Sequence, residues 1–352
     1  MTEVAAEKEL SPEELHRRGP DRLLVRVRSI THQGDGINAY EVVDPEGQAL
    51  PPFEPGSHID LYFRDLRIRQ YSLCGDPRDR KRYVFAVQRE PEGRGGSRAI
   101  FERVHPGHIL AISKPRNNFR LHAGARRHLL LAGGIGITPM MSMIHHLQAT
   151  GAPFLLHYCT RSPQRTAFLE ELQPLRERGL AFVHHDGGVP GQGLDIAALL
   201  GTHEAGTHLY YCGPNGFMDA VRAGSARWPE GTVHYEYFAP SASAPEASAD
   251  ARPGSMPAGD VGGAIGVGFQ VRIASTGAVF DVPDDKSIVQ VLREHGIEVP
   301  TSCESGLCGT CRTRYLEGVP DHRDYILDDA EKKEEMLICC SRALSPMLVL
   351  DL

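Results

Sequence analysis

Residues 300–311 read PTSCESGLCGTC and residues 336–343 read MLICCSRA. The first run sets Cys303, Cys308 and Cys311 at C-x4-C-x2-C spacing, and Cys339 or Cys340 follows after a gap of 27 or 28 residues. Iron bridged by sulfide takes soft, negatively charged sulfur ligands, and four thiolates at this spacing suffice for a 2Fe-2S cluster. A structural zinc site is the competing reading, but zinc favours paired C-x2-C knuckles and only one is present. Gly306 and Gly309 allow the backbone to wrap closely and to aim amides at the sulfurs. On spacing alone, Cys340 rivals Cys339 as the fourth ligand.

Outward from the cysteines, FQVRIASTGAVFDV (269–282) reads as a hairpin, SIVQVLREHG (287–296) as a short helix, and LICCSR (337–342) with MLVLDL (347–352) as closing strands. This predicts a compact domain over 266–352 with one main helix. Before it, residues 239–263 (APSASAPEASADARPGSMPAGDVGG) are too poor in large apolar residues to bury a core, so 239–265 is expected to be a linker.

Farther upstream, residues 22–122 carry short β-rich runs, among them LLVRVRSI, HIDLYF, RQYSL and RYVFAVQRE, punctuated by Gly and Pro, which predicts an antiparallel barrel. From residue 123 to 238 buried strands such as HLLLAGG (128–134) alternate with helical stretches such as TPMMSMIHHLQATG, RTAFLEELQPLRERG being another. That alternation predicts a doubly wound parallel sheet. Residues 1–21 form an N-terminal extension in which Ser11 and Glu14 have capping-box spacing.

The chain has 352 residues, 41% hydrophobic and 24% charged, with a net charge of -7. That balance excludes a strongly basic nucleic-acid binder. Residues 266–352 hold 15 acidic against nine basic side chains, and such an acidic face can steer a basic partner. No run approaches the ~18 apolar residues of a membrane span, and the polar start lacks a secretory leader. The expectation is a cytoplasmic monomer that binds neither membrane nor nucleic acid. Five of the eight cysteines crowd the last fifty residues, which in such a compartment reads as a metal site rather than disulfides.

Two motifs suit a flavin. Arg69, Tyr71 and Ser72 form R-x-Y-S at the end of a barrel strand, where Arg can neutralise a phosphate and Tyr can form a platform for the ring. About twenty-five residues later GRGGSRAIFERV (93–104) puts Gly95, Gly96 and Ser97 ahead of an amphipathic helix, a phosphate cradle or an ordinary loop with Ser97 as N-cap. Two further motifs suit a dinucleotide. The strand-to-helix turn GGIGITP supplies Gly133, Gly134, Gly136, Thr138 and Pro139, and YYCGP (210–214) supplies Cys212, Gly213 and Pro214. Both lie at carboxyl ends of predicted parallel strands and should line one crevice. Arg161, in YCTRSPQR, follows the strand expected to recognise the ribose.

The runs PTSCESGLCGTC, EGVPDHRDYIL (317–327) and MLICCSRA resemble the ferredoxin domain of the phthalate dioxygenase reductase family, which includes vanillate O-demethylase reductases. The resemblance covers residues 22–352, with a flavin barrel, an NAD-binding domain and a C-terminal β-grasp ferredoxin domain. It implies Cys339 as the fourth cluster ligand, FMN rather than FAD, NADH as donor, and Phe238 as an aromatic near the flavin. It implies Arg69, Gln70, Tyr71, Ser72, Gly95, Gly96 and Ser97 at the FMN, and Thr138 and Cys212 near the nicotinamide. Ser72, Thr138 and Cys212 are the candidates for the reacting end. Gln70 and Gln88 stand where some relatives carry Thr and Lys, so contacts there are expected to differ. The implied partner is a terminal oxygenase, usually of the Rieske non-haem iron type. A haem monooxygenase, a reductive enzyme, a stand-alone flavin reductase or a non-catalytic redox sensor are the other readings.

Overall fold

The computed structural model describes residues 11–17, 22–63, 68–90, 96–189, 191–238, 268–301, 304, 306–327 and 329–352. Packing divides the chain into two units, Met1–Phe238 and Ala239–Leu352. The expected tether falls outside the described residues, as do Gly95 and Cys303.

The first unit opens with α1 (Pro12–Arg17), capped as expected: the Glu14 amide donates to Ser11 Oγ at 3.2 Å and the Ser11 amide to Glu14 Oε2 at 2.7 Å. Six antiparallel strands follow: β1 (Arg22–Gly34), β2 (Ile37–Val43), β3 (His58–Tyr62), β4 (Ile68–Ser72), β5 (Tyr83–Gln88) and β6 (Ile109–Ser113). Their order is β4-β3-β6-β1-β2-β5. A bridge between Leu73 and Phe85 joins the two outer strands, so the sheet closes on itself. Closure removes the free edges that an open antiparallel sheet would leave. Between β5 and β6 runs α2 (Gly96–Arg103).

The parallel sheet comprises β7 (Arg127–Gly133), β8 (Phe154–Thr160), β9 (Ala181–His185), β10 (Thr207–Cys212) and β11 (Val233–Glu236), ordered β11-β10-β7-β8-β9. Between them run α3 (Ile137–Thr150), α4 (Leu169–Glu177), α5 (Ile196–Leu200) and α6 (Asn215–Gly224). Strand order reverses between β7 and β10, which opens a crevice beyond their carboxyl ends. α4 starts at Leu169, later than the run from Arg165 suggests, because Phe168 turns left-handed at φ 60 and buries its ring. Barrel and sheet share a core, in which Ile37, Ala39, Cys74 and Ala86 pack with Met140, Ile144 and Leu156.

The second unit is a mixed sheet of β12 (Phe269–Ile273), β13 (Val279–Val282), β14 (Arg312–Glu317), β16 (Glu335–Leu337) and β18 (Met347–Leu350), ordered β13-β12-β18-β14-β16. α7 (Ile288–Glu294) packs on it through Ile288, Val289, Val291 and Leu292. A short ladder pairs β15 (Pro320–Asp321) with β17 (Arg342–Ala343). LICCSR is not the strand its composition suggests: β16 ends at Leu337, and residues 338–340 turn. Within the turn Cys339 is buried and Cys340 half-buried.

Candidate functional site

The candidate residues fall into three groups, two in the first unit and one in the second. In the barrel, a Cβ built on Gly96 would lie 2.7 Å from Arg69 Nε, so the Arg69 side chain crosses the start of α2. Arg69 of R-x-Y-S and Gly96 at the start of α2 therefore meet, a guanidinium beside a helix N-terminus that suits a phosphate. Tyr71 packs its ring 5.5 Å from that of Phe85, and burial pushes its hydroxyl well above the ordinary range. Gln70 hydrogen-bonds the buried Asp60. Ser97 is not an N-cap: its Oγ accepts the Glu90 amide at 3.0 Å, tying β5 to α2.

In the parallel sheet, a Cβ on Gly133 would lie 2.9 Å from Pro214 Cδ, and one on Gly136 would land on the Cys212 carbonyl. The two dinucleotide motifs therefore touch through their glycines, as expected of loops at the carboxyl ends of β7 and β10. Thr138 is buried, and its hydroxyl bonds the Ile135 carbonyl at 2.9 Å. Arg161 stands exposed beyond β8, where the Gly187 amide donates to its carbonyl at 3.0 Å. Phe238, just past β11, keeps 43% exposure.

These two groups meet at a residue that sequence reasoning passed over, Glu236. It ends β11 opposite Cys212, and its Oε2 accepts the Ser72 hydroxyl at 3.4 Å. Its Oε1 lies 3.8 Å from His58 Nδ1. Burial lifts the Glu236 carboxyl to about 8, and burial first, with Glu236 second, drives the Cys212 thiol far up. Both shifts favour the un-ionised forms. The signal was faint, since one Glu in HYEYF has nothing around it in the chain to mark it as buried.

In the second unit Cys308, Cys311 and Cys339 are all buried, with Cys311 against Cys339 and Cys308 near Cys311, while Cys303 lies outside the described residues. The Gly306 amide hydrogen-bonds the Cys339 sulfur. Gly306 is left-handed at φ 75, and a Cβ there would lie 2.8 Å from Cys340 Sγ. Cys308 Sγ adjoins Thr310 Oγ1 at 3.2 Å. Grouped sulfurs with an amide aimed at one of them, on a loop too tight for a side chain, fit an iron–sulfur cluster. Cys340 is half-buried, adjoins the Cys339 sulfur, and has its thiol 3.5 Å from the Leu337 carbonyl.

No helix among the described residues is long and apolar enough to cross a membrane. The 2Fe-2S iron-sulfur cluster binding domain family matches residues 271–344. The N-terminal domain of dimethylamine monooxygenase subunit DmmA-like proteins matches residues 111–227. The chain is 54% identical over 331 residues to the reductase subunit of tert-butanol monooxygenase / tert-amyl alcohol desaturase from Aquincola tertiaricarbonis, covering 94% of this chain and 96% of that one. The solved structure of phthalate dioxygenase reductase, a modular structure for electron transfer from pyridine nucleotides to [2Fe-2S], aligns with a TM-score of 0.68 at 39% identity. It covers 97% of this chain and 100% of its own. An intact type IV self-sufficient cytochrome P450 monooxygenase aligns with a TM-score of 0.79 at 34% identity, over 94% of this chain and 41% of the larger protein.

Proposed function

This chain belongs to the phthalate dioxygenase reductase family, and from that premise we propose which of its residues carry the family's chemistry and which partner it serves. It is an NADH-dependent reductase component that moves electrons from NADH through FMN and a 2Fe-2S cluster to a terminal oxygenase. FMN supplies the exchange of a two-electron donor for single electrons, and the cluster carries them one at a time.

The chain's own residues bind, orient and shield. Residues 22–122 hold FMN: Arg69 and the start of α2, with Gly95, Gly96 and Ser97, take the phosphate, and Gln70, Tyr71 and Phe238 flank the ring. Residues 123–238 hold NADH. Gly133, Gly134, Gly136 and Pro139 admit the pyrophosphate, Gly213 and Pro214 close the opposite wall, and Arg161 meets the ribose. Ser72, Thr138 and Cys212 line the reacting end, where Ser72 presents a hydroxyl and the un-ionised Cys212 fills space. Residues 266–352 hold the cluster through Cys303, Cys308, Cys311 and Cys339, on the far side of the 239–265 linker.

The observation that carries this reading is the meeting of Ser72, Glu236 and Cys212 at the seam of barrel and sheet. It supports this reading by bringing the end of β4 against the carboxyl ends of β10 and β11. A Rieske-type oxygenase is the proposed acceptor, and a cytoplasmic monomer the proposed state. The likeness to the cytochrome P450 monooxygenase favours a haem acceptor as the second reading. Anaerobic mixing of the loaded protein with NADH should bleach flavin and cluster in turn, and a panel of oxygenases then separates the readings. Turnover with Rieske enzymes alone is expected; turnover with haem enzymes alone would reverse the choice.

A further inference from the structure

Four sulfurs suffice for a 2Fe-2S cluster, yet the second unit brings a further one against them. Cys340 follows Cys339 in the turn after β16, is half-buried, and hydrogen-bonds the Cys339 sulfur through its side chain. A Cβ on Gly306 would lie 2.8 Å from Cys340 Sγ, and the Gly306 amide itself donates to the Cys339 sulfur. The Cys339 sulfur therefore has a backbone amide and a second thiol beside it. Gly306 is anchored in turn by the Tyr325 amide, which donates to its carbonyl at 3.1 Å.

A thiol has one proton to give, and the neighbours of Cys340 decide where it goes. The Leu337 carbonyl lies 3.5 Å from Sγ, but it already accepts the Cys340 amide at 3.2 Å and the Ser341 amide at 3.0 Å, which fill its two lone pairs. Ser341 Oγ is 3.9 Å away and accepts the Arg323 amide at 3.3 Å. Among these neighbours the Cys339 sulfur is the acceptor with room left. As a cluster ligand it is also the anionic one, which strengthens the bond. A thiol is deprotonated outright when it coordinates a metal, and with Cys339 as the ligand Cys340 keeps its proton.

That proton bears on the electron. When one electron passes from reduced FMN to the oxidised cluster, one ferric iron becomes ferrous and the sulfurs share one more negative charge. A donor aimed at a ligand sulfur holds the reduced cluster more strongly than the oxidised one, so it raises the potential. The effect draws electrons out of the flavin.

We infer that Cys340 is a positioning residue of the electron-transfer reaction: unligated, it donates its thiol hydrogen to the Cys339 sulfur and, together with the Gly306 amide, raises the potential at which the cluster accepts an electron. The inference rests on the proposed assignment of Cys339 as the fourth ligand.

The test uses the full chain loaded with FMN and cluster, with wild type beside Cys340→Ala, Cys340→Ser, Cys340→Val and Cys339→Ser. An anaerobic redox titration reads the cluster by electron paramagnetic resonance and the flavin by absorbance, and iron content, visible spectrum and thermal midpoint are measured on each protein. Cys340→Ala is expected to keep its iron and visible spectrum while electrons partition about three-fold less onto the cluster. At about 59 mV per ten-fold for one electron, that is a fall of roughly 30 mV in the cluster's potential, with the flavin's unchanged. Cys340→Ser keeps a donor and should return the potential towards wild type. If Cys340→Ala does not fold, Cys340→Val, which fills the space without a donor, carries the comparison. An unmoved cluster potential in the donor-free variant, or an equal fall with serine in place, overturns the inference. Loss of the cluster from the folded Cys340 variants with its retention in Cys339→Ser would show instead that the fourth ligand had been misassigned, a separate failure that leaves a different spectrum.

Discussion

At the scale of single residues, the glycines report most directly on what the site must admit. A Cβ on Gly136 meets the Cys212 carbonyl and the Gly213 amide, which are backbone and cannot swing aside. Gly136→Ala is therefore expected to lose about 1–3 kcal/mol of stability by overpacking and to weaken NADH binding about ten-fold, read by thermal melting and NADH titration. At Gly96 the obstructing atoms belong to the flexible Arg69 side chain, so Gly96→Ala should fold normally and lose FMN affinity instead. Cys308→Ser is expected to abolish the cluster's visible spectrum and terminal reduction while NADH-to-flavin transfer continues. Equal loss of both activities would contradict the division of labour. The cysteine spacing was readable because ligand geometry constrains residue type and interval together. Glu236 and His58 were not, because burial of one carboxylate and one imidazole depends on strands far apart in the chain.

At the scale of elements, period and punctuation were good guides wherever one face of a segment is buried. HLLLAGG, FLLHYCTR and HLYYCGP became adjacent parallel strands because both faces are covered, and a continuous apolar run has no other soluble home. Local rules failed where a residue serves the site. LICCSR breaks into a turn so that Cys339 faces the cluster loop, and Ser97 forgoes capping to hold the Glu90 amide. α7 obeys the rules fully, with Ser287 Oγ accepting the Gln290 amide at 3.2 Å and Gln290 Oε1 accepting the Ser287 amide at 2.8 Å. Ser287→Ala should cost about 1 kcal/mol and lower the midpoint of the second unit by roughly 4–8 °C in a melt that resolves the two units.

At the scale of the whole molecule, histidines distinguish the units. Burial, aided by neighbouring imidazoles, lowers His128, His157 and His234 to about 4 in the first unit. A folded-state value below the ordinary 6.5 means that the unfolded chain takes up protons first, so stability is lost as pH falls from 6.5 towards 4. Of the two histidines of the second unit, His295 is exposed and His322 half-buried. Acid should therefore unfold the first unit ahead of the second, seen as a change in Trp228 fluorescence while amides of the second unit stay protected; a steady Trp228 signal to pH 4.5 would refute this. Composition, spacing and periodicity by themselves pointed to the three architectures, to an iron–sulfur cluster on the last cysteines and to the order of the cofactor motifs, since each of these is written in short intervals of chain, whereas Cys339 over Cys340 came only from the family resemblance. Only the tertiary structure decided that Arg69 lies across Gly96, that Gly136 presses on Cys212, and that Ser72, Glu236 and His58 share a dry seam. Those contacts join residues up to 178 positions apart, and no local pattern encodes which distant side chains will be denied water together.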